Sequence, residues 1–317
     1  MKILIISGFL GAGKTTFIKA MAKYSGKEFA ILENEYGSVG IDGDILKNEM
    51  SVGDVNIWEM TEGCICCSAK GDFAASVLTI ANAVDPEYLV IEPTGVGMLS
   101  KIIENLRQIE YEHISILAPV TIVDGRSYNR YIKEYSQLYC DQIAFADTVI
   151  ISKMEYAKKE EKDFLRTELR KINPKGQIIS EHYSTFNKDQ WLSLLKKDYM
   201  GRNLYEKDEI TDKLPDTFSM CGVSIESPEK LFLLLEELIR GKFGNIFRAK
   251  GQITAGKQIF RFDVSDGYYS ITEGDLKSKE KIVFIGTEIS RQKIRRYFLK
   301  KIKKDKYNKR ITVKRGL

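Results

Sequence analysis

With 317 residues, 43% of them hydrophobic and 29% charged, the chain exceeds the usual extent of one hydrophobic core, so one large and one smaller domain is expected, and its apolar and charged fractions are those of an ordinary soluble protein. No apolar run approaches the ~18 residues of a membrane span, and the apolar start is interrupted by Gly11, Gly13 and Lys14, so the expectation is a cytoplasmic protein without a signal peptide. The formal net charge of +5 conceals an asymmetry: residues 288–317 hold thirteen Lys/Arg against two Asp/Glu, and the remainder is acidic.

Such a basic tail suits nucleic acid, a membrane surface, an acidic partner or the solvated face of a terminal helix. It contains only Tyr297, Phe298 and Tyr307 as aromatics and no recognisable binding module, so nucleic acid is not the expected partner. The helical reading places Ile294, Phe298 and Ile302 inward and the cations outward.

In chain order, Ile3 to Ile6 has the length and β-branching of a buried strand and stops at Gly8. Gly8-Phe9-Leu10-Gly11-Ala12-Gly13-Lys14-Thr15 then satisfies G-x-x-x-x-G-K-[ST] at every fixed position. Glycines allow a nest of backbone N–H groups to face phosphate oxygens, Lys14 reaches the β- and γ-phosphates, and the Thr15 hydroxyl takes a place on Mg²⁺. A helix from Thr16 to Lys23 follows, with its positive end towards the anion.

Further strands are read at Glu28–Leu32, Val55–Met60, Tyr88–Ile91, Ile114–Val123, Thr148–Ile151 and Gln177–Ile179. Helical patterns lie between them at Lys70–Val84, Leu99–Gln108, 126–146 and Lys158–Lys171, with one more helix around Trp191. Apolar strands alternating with amphipathic helices predict an α/β fold, a doubly wound, mostly parallel P-loop NTPase sheet over residues 1–200. A polar, aperiodic stretch from Asp198 to Asp216 reads as a linker. Residues 215–317 then form a smaller α+β domain: a strand at Phe218–Ile225, a helix capped by Ser227-Pro228, short strands at Gln258–Val264, Tyr268–Ile271 and Lys281–Ile285, and a helix opening at Ser290.

Three further segments carry chemistry. Glu92 sits at the carboxyl end of a strand, where open α/β sheets bind ligands and where P-loop proteins place a Mg²⁺-holding acid. Ser152-Lys153-Met154-Glu155 stands where guanine-specific GTPases have Asn-Lys-x-Asp. Glu155 can accept from the guanine N1–H and exocyclic amine, but its longer side chain shifts the carboxylate, and Ser152 lacks the amide that would brace the loop. Cys64, Cys66 and Cys67 offer three soft thiolates too close together for a disulfide framework. Their spacing is tighter than that of structural zinc pairs and suggests an open site that Glu33 or Glu35 could complete. His113 and His182 stand alone in the sequence and read as structural or surface residues.

Four segments together resemble the CobW-like P-loop GTPases, metallochaperones related to the nickel-insertion GTPases: Gly8 to Thr16, Glu33-Asn34-Glu35-Tyr36-Gly37, Gly63-Cys64-Ile65-Cys66-Cys67 and Glu92-Pro93-Thr94-Gly95. Arg248-Ala249-Lys250-Gly251 and Val283-Phe284-Ile285-Gly286 are similar to that family's C-terminal module. The resemblance implies GTP hydrolysis coupled to delivery of a transition metal, zinc or cobalt, to a client protein or cofactor pathway. Carried over by position, Gly8, Gly11, Ala12, Gly13, Lys14, Thr15 and Thr16 hold GTP or GDP, with Lys14 and Glu92 catalytic. Ser152, Lys153 and Glu155 meet the base, Thr15 and Glu92 hold Mg²⁺, and Cys64, Cys66, Cys67 and Glu33 hold the cargo metal. The chain departs from many relatives in having Ser38 where they have Glu and in lacking a His-rich tract. The competing reading is a nucleotide switch that remodels a partner, with a permanent structural zinc at the cysteines.

Overall fold

A computed structural model describes residues 1–33, 56–59, 70–111, 113–201, 215–265, 267–275 and 280–299, with the backbone alone at 56–59, 70–72 and 299. Cys64, Cys66, Cys67, Glu35, Ser38, Ile302 and the tail after Leu299 lie outside the described residues. The chain divides into two units, Met1–Leu214 and Pro215–Leu317.

In the first unit β1 (Lys2–Ser7) runs into α1 (Lys14–Ser25), and β2 (Ala30–Glu33), β3 (Asn56–Glu59), α2 (Lys70–Ala83), β4 (Tyr88–Glu92) and α3 (Leu99–Arg107) follow. After β5 (Ser115–Ile116) and β6 (Val120–Asp124) come α4 (Tyr128–Glu134), α5 (Ser136–Ala144), β7 (Thr148–Ser152), α6 (Lys159–Ile172), β8 (Gln177–Ile179) and α7 (Lys188–Ser193). Among the described residues these strands form one sheet in the order β3-β2-β4-β1-β6-β7-β8, with β5 beside β1 and every pairing parallel. The sheet's inner residues are apolar on both faces: on one, Leu4, Ile6, Ile31, Val90, Val120, Ile122 and Ile150 pack with Phe17, Ile18 and Met21 of α1 and with Trp191 of α7, and the alternate residues Ile3, Ile5, Leu89 and Ile91 are buried as well. This is the doubly wound layout in which all loops that follow strand carboxyl ends gather at one edge.

The single strand read at Ile114–Val123 is two. Pro119 cannot donate to a ladder, and the chain breaks there. β5 pairs with Lys2 and Ile3 at the start of β1, and β6 resumes against Ile6 and Ser7 at its end. Part of the stretch read as linker is held to this unit, since Tyr199 N–H donates to the Ile116 carbonyl and Ala118 N–H to that of Lys197.

In the second unit, β9 (Asp216–Cys221), β10 (Ser224–Ile225), β11 (Asn245–Ala255), β12 (Gln258–Ser265), β13 (Tyr268–Glu273) and β14 (Lys281–Thr287) form a sheet in the order β13-β12-β11-β14-β9. It is antiparallel apart from β10, which runs parallel to β11. Leu231, Leu234, Leu235 and Leu238 of α8 (Pro228–Ile239), with Ile294 and Phe298 of α9 (Arg291–Leu299), bury against Phe218, Ile253, Phe262 and Phe284. The expected strand at Phe218–Ile225 is interrupted at Gly222, whose φ is +63°. β11, at 11 residues, was not expected from the sequence: Arg248, Lys250 and Gln252 alternate with the small Ala249 and Gly251, so the apolar period is faint.

Candidate functional site

The phosphate loop leaves β1 through residues whose backbone only glycine adopts easily: φ is +141° at Gly8, +74° at Gly11 and +100° at Gly13. A Cβ on Gly8 would stand 2.3 Å from the Ile122 carbonyl oxygen, so β6 itself demands the glycine. Ala12 is buried, its N–H donating to the Phe9 carbonyl. Phe9 fills a nest of tyrosines, its ring 4.3 Å from Tyr131, 5.1 Å from Tyr135 and 5.9 Å from Tyr139. Gly13 caps α1, whose first residue, Lys14, is 6% exposed. The Lys14 ammonium donates to the Gly8 carbonyl at 3.0 Å and to that of Phe9 at 3.4 Å, folded over the loop it would share with a phosphate.

Thr15, next on the helix, donates to both oxygens of Glu92, at 2.9 and 3.0 Å. Cis ligands of an octahedral Mg²⁺ at 2.0–2.1 Å lie about 3 Å apart, so this all-oxygen pair fits that ion by spacing and by chemistry. Glu92 ends β4, and in register beside it Glu33 ends β2 and Glu59 ends β3. Three carboxylate-bearing residues thus occupy adjacent strands at one sheet edge, with Glu33 buried. The cysteine motif begins five residues beyond Glu59 in the sequence.

The loop after Glu92 is fastened from α5. Gln142 donates its side-chain amide to the carbonyls of Gly95, at 3.1 Å, and Gly97, at 2.8 Å, and its main-chain carbonyl accepts from Thr121 Oγ1. Asp141 Oδ1 accepts from the Ser100 N–H at the start of α3. Burial raises the Asp141 pKa from its ordinary value, against the lowering effect of the Ser100 bonds. Gly95 lies against the phosphate loop itself, since a Cβ there would meet Leu10 N at 2.4 Å.

At the far side of the loop, Ser152 ends β7 and donates its hydroxyl to the Ala12 carbonyl at 2.7 Å. The brace that the missing amide would have supplied is therefore present, made by a shorter side chain. Lys153 has φ +58°, and its ammonium pairs with buried Asp124 at 2.7 Å. Glu155 Oε1 meets His182 Nε2 at 3.0 Å. Sequence reasoning missed that partner, because the two residues are brought together by β7 and β8 running parallel and in register, Thr148 beside Gln177. His113 offers its carbonyl to the Met1 ammonium, a structural contact.

Comparison with known proteins matches residues 2–180 to the family described as CobW/HypB/UreG, nucleotide-binding domain, and residues 222–301 to the cobalamin synthesis protein cobW C-terminal domain. The zinc chaperone YjiA of Escherichia coli (strain K12) is 25% identical over 324 residues, covering 93% of this chain and 97% of that protein. The zinc chaperone YeiR of the same organism is 31% identical over 182 residues, 56% of this chain and 54% of that protein. The crystal structure of Zn(II)-bound YjiA GTPase from E. coli superposes with a TM-score of 0.45 at 21% identity, covering 94% of this chain and 98% of that one.

Proposed function

Because the chain belongs to the CobW/HypB/UreG family and carries both its nucleotide-binding and its C-terminal domain, we propose that this GTPase is a metallochaperone that couples GTP binding and hydrolysis to the handling of a transition metal. One observation supports the coupling above others: Glu92, bonded to Thr15 of the phosphate loop, is the register neighbour of Glu33. The nucleotide end and the metal end of the site are adjoining strands of one sheet.

In this reading Gly8, Gly11, Ala12, Gly13, Lys14, Thr15 and Thr16 hold the phosphates, and Lys14 exchanges its carbonyl partners for phosphate oxygens. Thr15 and Glu92 would hold Mg²⁺, which supplies charge neutralisation when bound. Ser152, Lys153 and Glu155 receive the guanine. The cargo, zinc or cobalt, is the substrate of Cys64, Cys66, Cys67 and Glu33, and a metal-receiving client protein takes it onward. Nucleotide state and cargo affinity then influence each other by one factor, typically 5–150-fold.

The test titrates Zn²⁺ or Co²⁺ into the nucleotide-free, GDP-bound and GTP-analogue-bound protein. Affinities that differ between states by that order support a chaperone. Identical affinities in all three would leave the cysteines as a static structural site and the protein as a nucleotide switch.

A further inference from the structure

Glutamate is a loose choice for reading a base. It has one more rotatable bond than aspartate, and its carboxylate must be held still before two hydrogen bonds to guanine can be made cheaply. We propose that His182 is the positioning residue that holds Glu155 for guanine recognition. This rests on the reading of Glu155 as the group that meets the base.

The half-exposed imidazole is itself held at both ring nitrogens and against a neighbouring ring. His182 caps a short 3₁₀ turn, Tyr183–Thr185, that follows β8. Its Nδ1 accepts from the Ser184 N–H at 3.2 Å and lies 2.7 Å from Ser184 Oγ. A backbone N–H can only donate, so Nδ1 presents its lone pair and the ring proton sits on Nε2, 3.0 Å from Glu155 Oε1. The His182 carbonyl accepts from both the N–H and the hydroxyl of Thr185, which fixes the backbone beneath the ring. The ring lies 4.3 Å from that of Tyr183, and Tyr183 in turn stands edge-on to Phe17 at 5.2 Å. Phe17 belongs to α1, the helix that opens at Lys14 and Thr15. The imidazole is thus referenced to the helix that carries the phosphate-binding residues, so the base and the phosphates are measured from one rigid element.

The chemistry leaves room for the ligand. A carboxylate has about four acceptor positions, and the histidine takes one of them on Oε1. The others accept the guanine N1–H and exocyclic amine. Adenine presents a lone pair at N1, which a fixed carboxylate repels and a freely rotating one can avoid. Holding Glu155 in place therefore sharpens rejection of adenine as well as acceptance of guanine.

The experiment measures the ratio of ATP to GTP dissociation constants by competition against labelled GDP, in the full-length protein. Four variants are compared: Glu155→Ala, His182→Ala, His182→Gln and the double variant with alanine at both positions. Glu155→Ala should lower the ratio by about tenfold or more, and His182→Ala by about three- to tenfold. In the Glu155→Ala background, His182→Ala should have no further effect, because the histidine acts only through the carboxylate. His182→Gln keeps an N–H donor and should recover part of the ratio, which also provides a measurement if the alanine variant folds poorly. An unchanged ratio in Glu155→Ala would overturn the base-reading assignment and this inference with it. A lowered ratio in Glu155→Ala together with an unchanged one in His182→Ala, or additive effects in the double variant, would overturn the role of His182 alone.

Discussion

Ser152→Ala tests whether the loop proposed to meet the base and the phosphate loop are one mechanical unit. The Ser152 hydroxyl, on a residue 3% exposed, reaches 140 positions back along the sequence to the Ala12 carbonyl at 2.7 Å, with the Val123 carbonyl a second acceptor at 3.3 Å. Alanine removes the donor without disturbing the strand, so the buried Ala12 carbonyl loses this partner. A buried group left in that condition costs about 1–3 kcal/mol. In a unit of this size each kcal/mol lowers Tm by about 2–4 °C, so the nucleotide-free variant should melt about 2–12 °C below the parent.

The same carbonyl belongs to the loop proposed to wrap the phosphates, so part of the loss should appear as weaker binding. Isothermal titration of GDP should show an affinity about five- to tenfold lower, and the stabilisation of Tm by saturating GDP should shrink accordingly. A Tm within 1 °C of the parent and an unaltered GDP affinity would refute the reasoning. It would mean that the loop holds its shape without β7.

Gly95→Ala places a methyl carbon where Leu10 N is 2.4 Å away and Leu10 Cα 2.7 Å, so either the phosphate loop or the Gly95 loop must shift. Overpacking of this kind costs about 1–3 kcal/mol, and both Tm and GTP turnover should fall; parental turnover would show that the two loops are not pressed together in the working state. Asp141→Asn keeps an oxygen to accept the Ser100 N–H while removing a charge that burial disfavours. Because the folded pKa is raised above the unfolded one, the acid favours folding at pH values below the ordinary carboxylate range, and that contribution is lost as pH rises through the folded value. The variant should therefore gain stability over the parent at pH 8 and lose that advantage by about pH 3, below the ordinary carboxyl value, as urea unfolding at the two pH values would reveal. A difference independent of pH would refute the assignment.

How much of this is legible in the sequence depends on whether the signal is local. The strand, the glycine-rich loop and the helix of residues 2–25 are adjacent in the chain, and backbone geometry, charge and apolar run all point the same way. Glu92 is readable because a short apolar run ends at it. The break at Pro119 was available to the same reasoning and is obscured only by apolar residues on either side. β11 is different: its polar residues sit on one face opposite small ones, so only its pairing with β12 and β14 declares it a strand. The contacts that shape the site were the least legible. Ser152 to Ala12, Gln142 to Gly95 and Glu155 to His182 join residues 140, 47 and 27 positions apart, and no residue type announces its partner across such distances. A serine in place of an asparagine reads as a deficit until β7 is seen to end close enough for the shorter side chain to reach. An isolated histidine reads as bland until the parallel strands β7 and β8 set it beside a glutamate.

The parallel sheet also limits how a signal could travel between nucleotide and the proposed cargo. Neighbouring strands lie about 4.8 Å apart, and Glu33 and Glu92 occupy paired positions on two of them. On the proposed assignment the path from phosphate to cargo is two side chains long: Thr15 to Glu92 by a hydrogen bond, and Glu92 to Glu33 by register. No domain rotation is needed for the first step, since a change in what Glu92 bonds alters the field at Glu33 directly. That field acts in both directions, so a cation arriving at Glu33 must change the affinity for nucleotide by the factor with which nucleotide changes the affinity for the cation. On the same proposal hydrolysis would make the cycle directional: it would convert the GTP-bound state to the GDP-bound state while the cargo is held, and the cargo would leave whenever the second state holds it less tightly than the proposed client does.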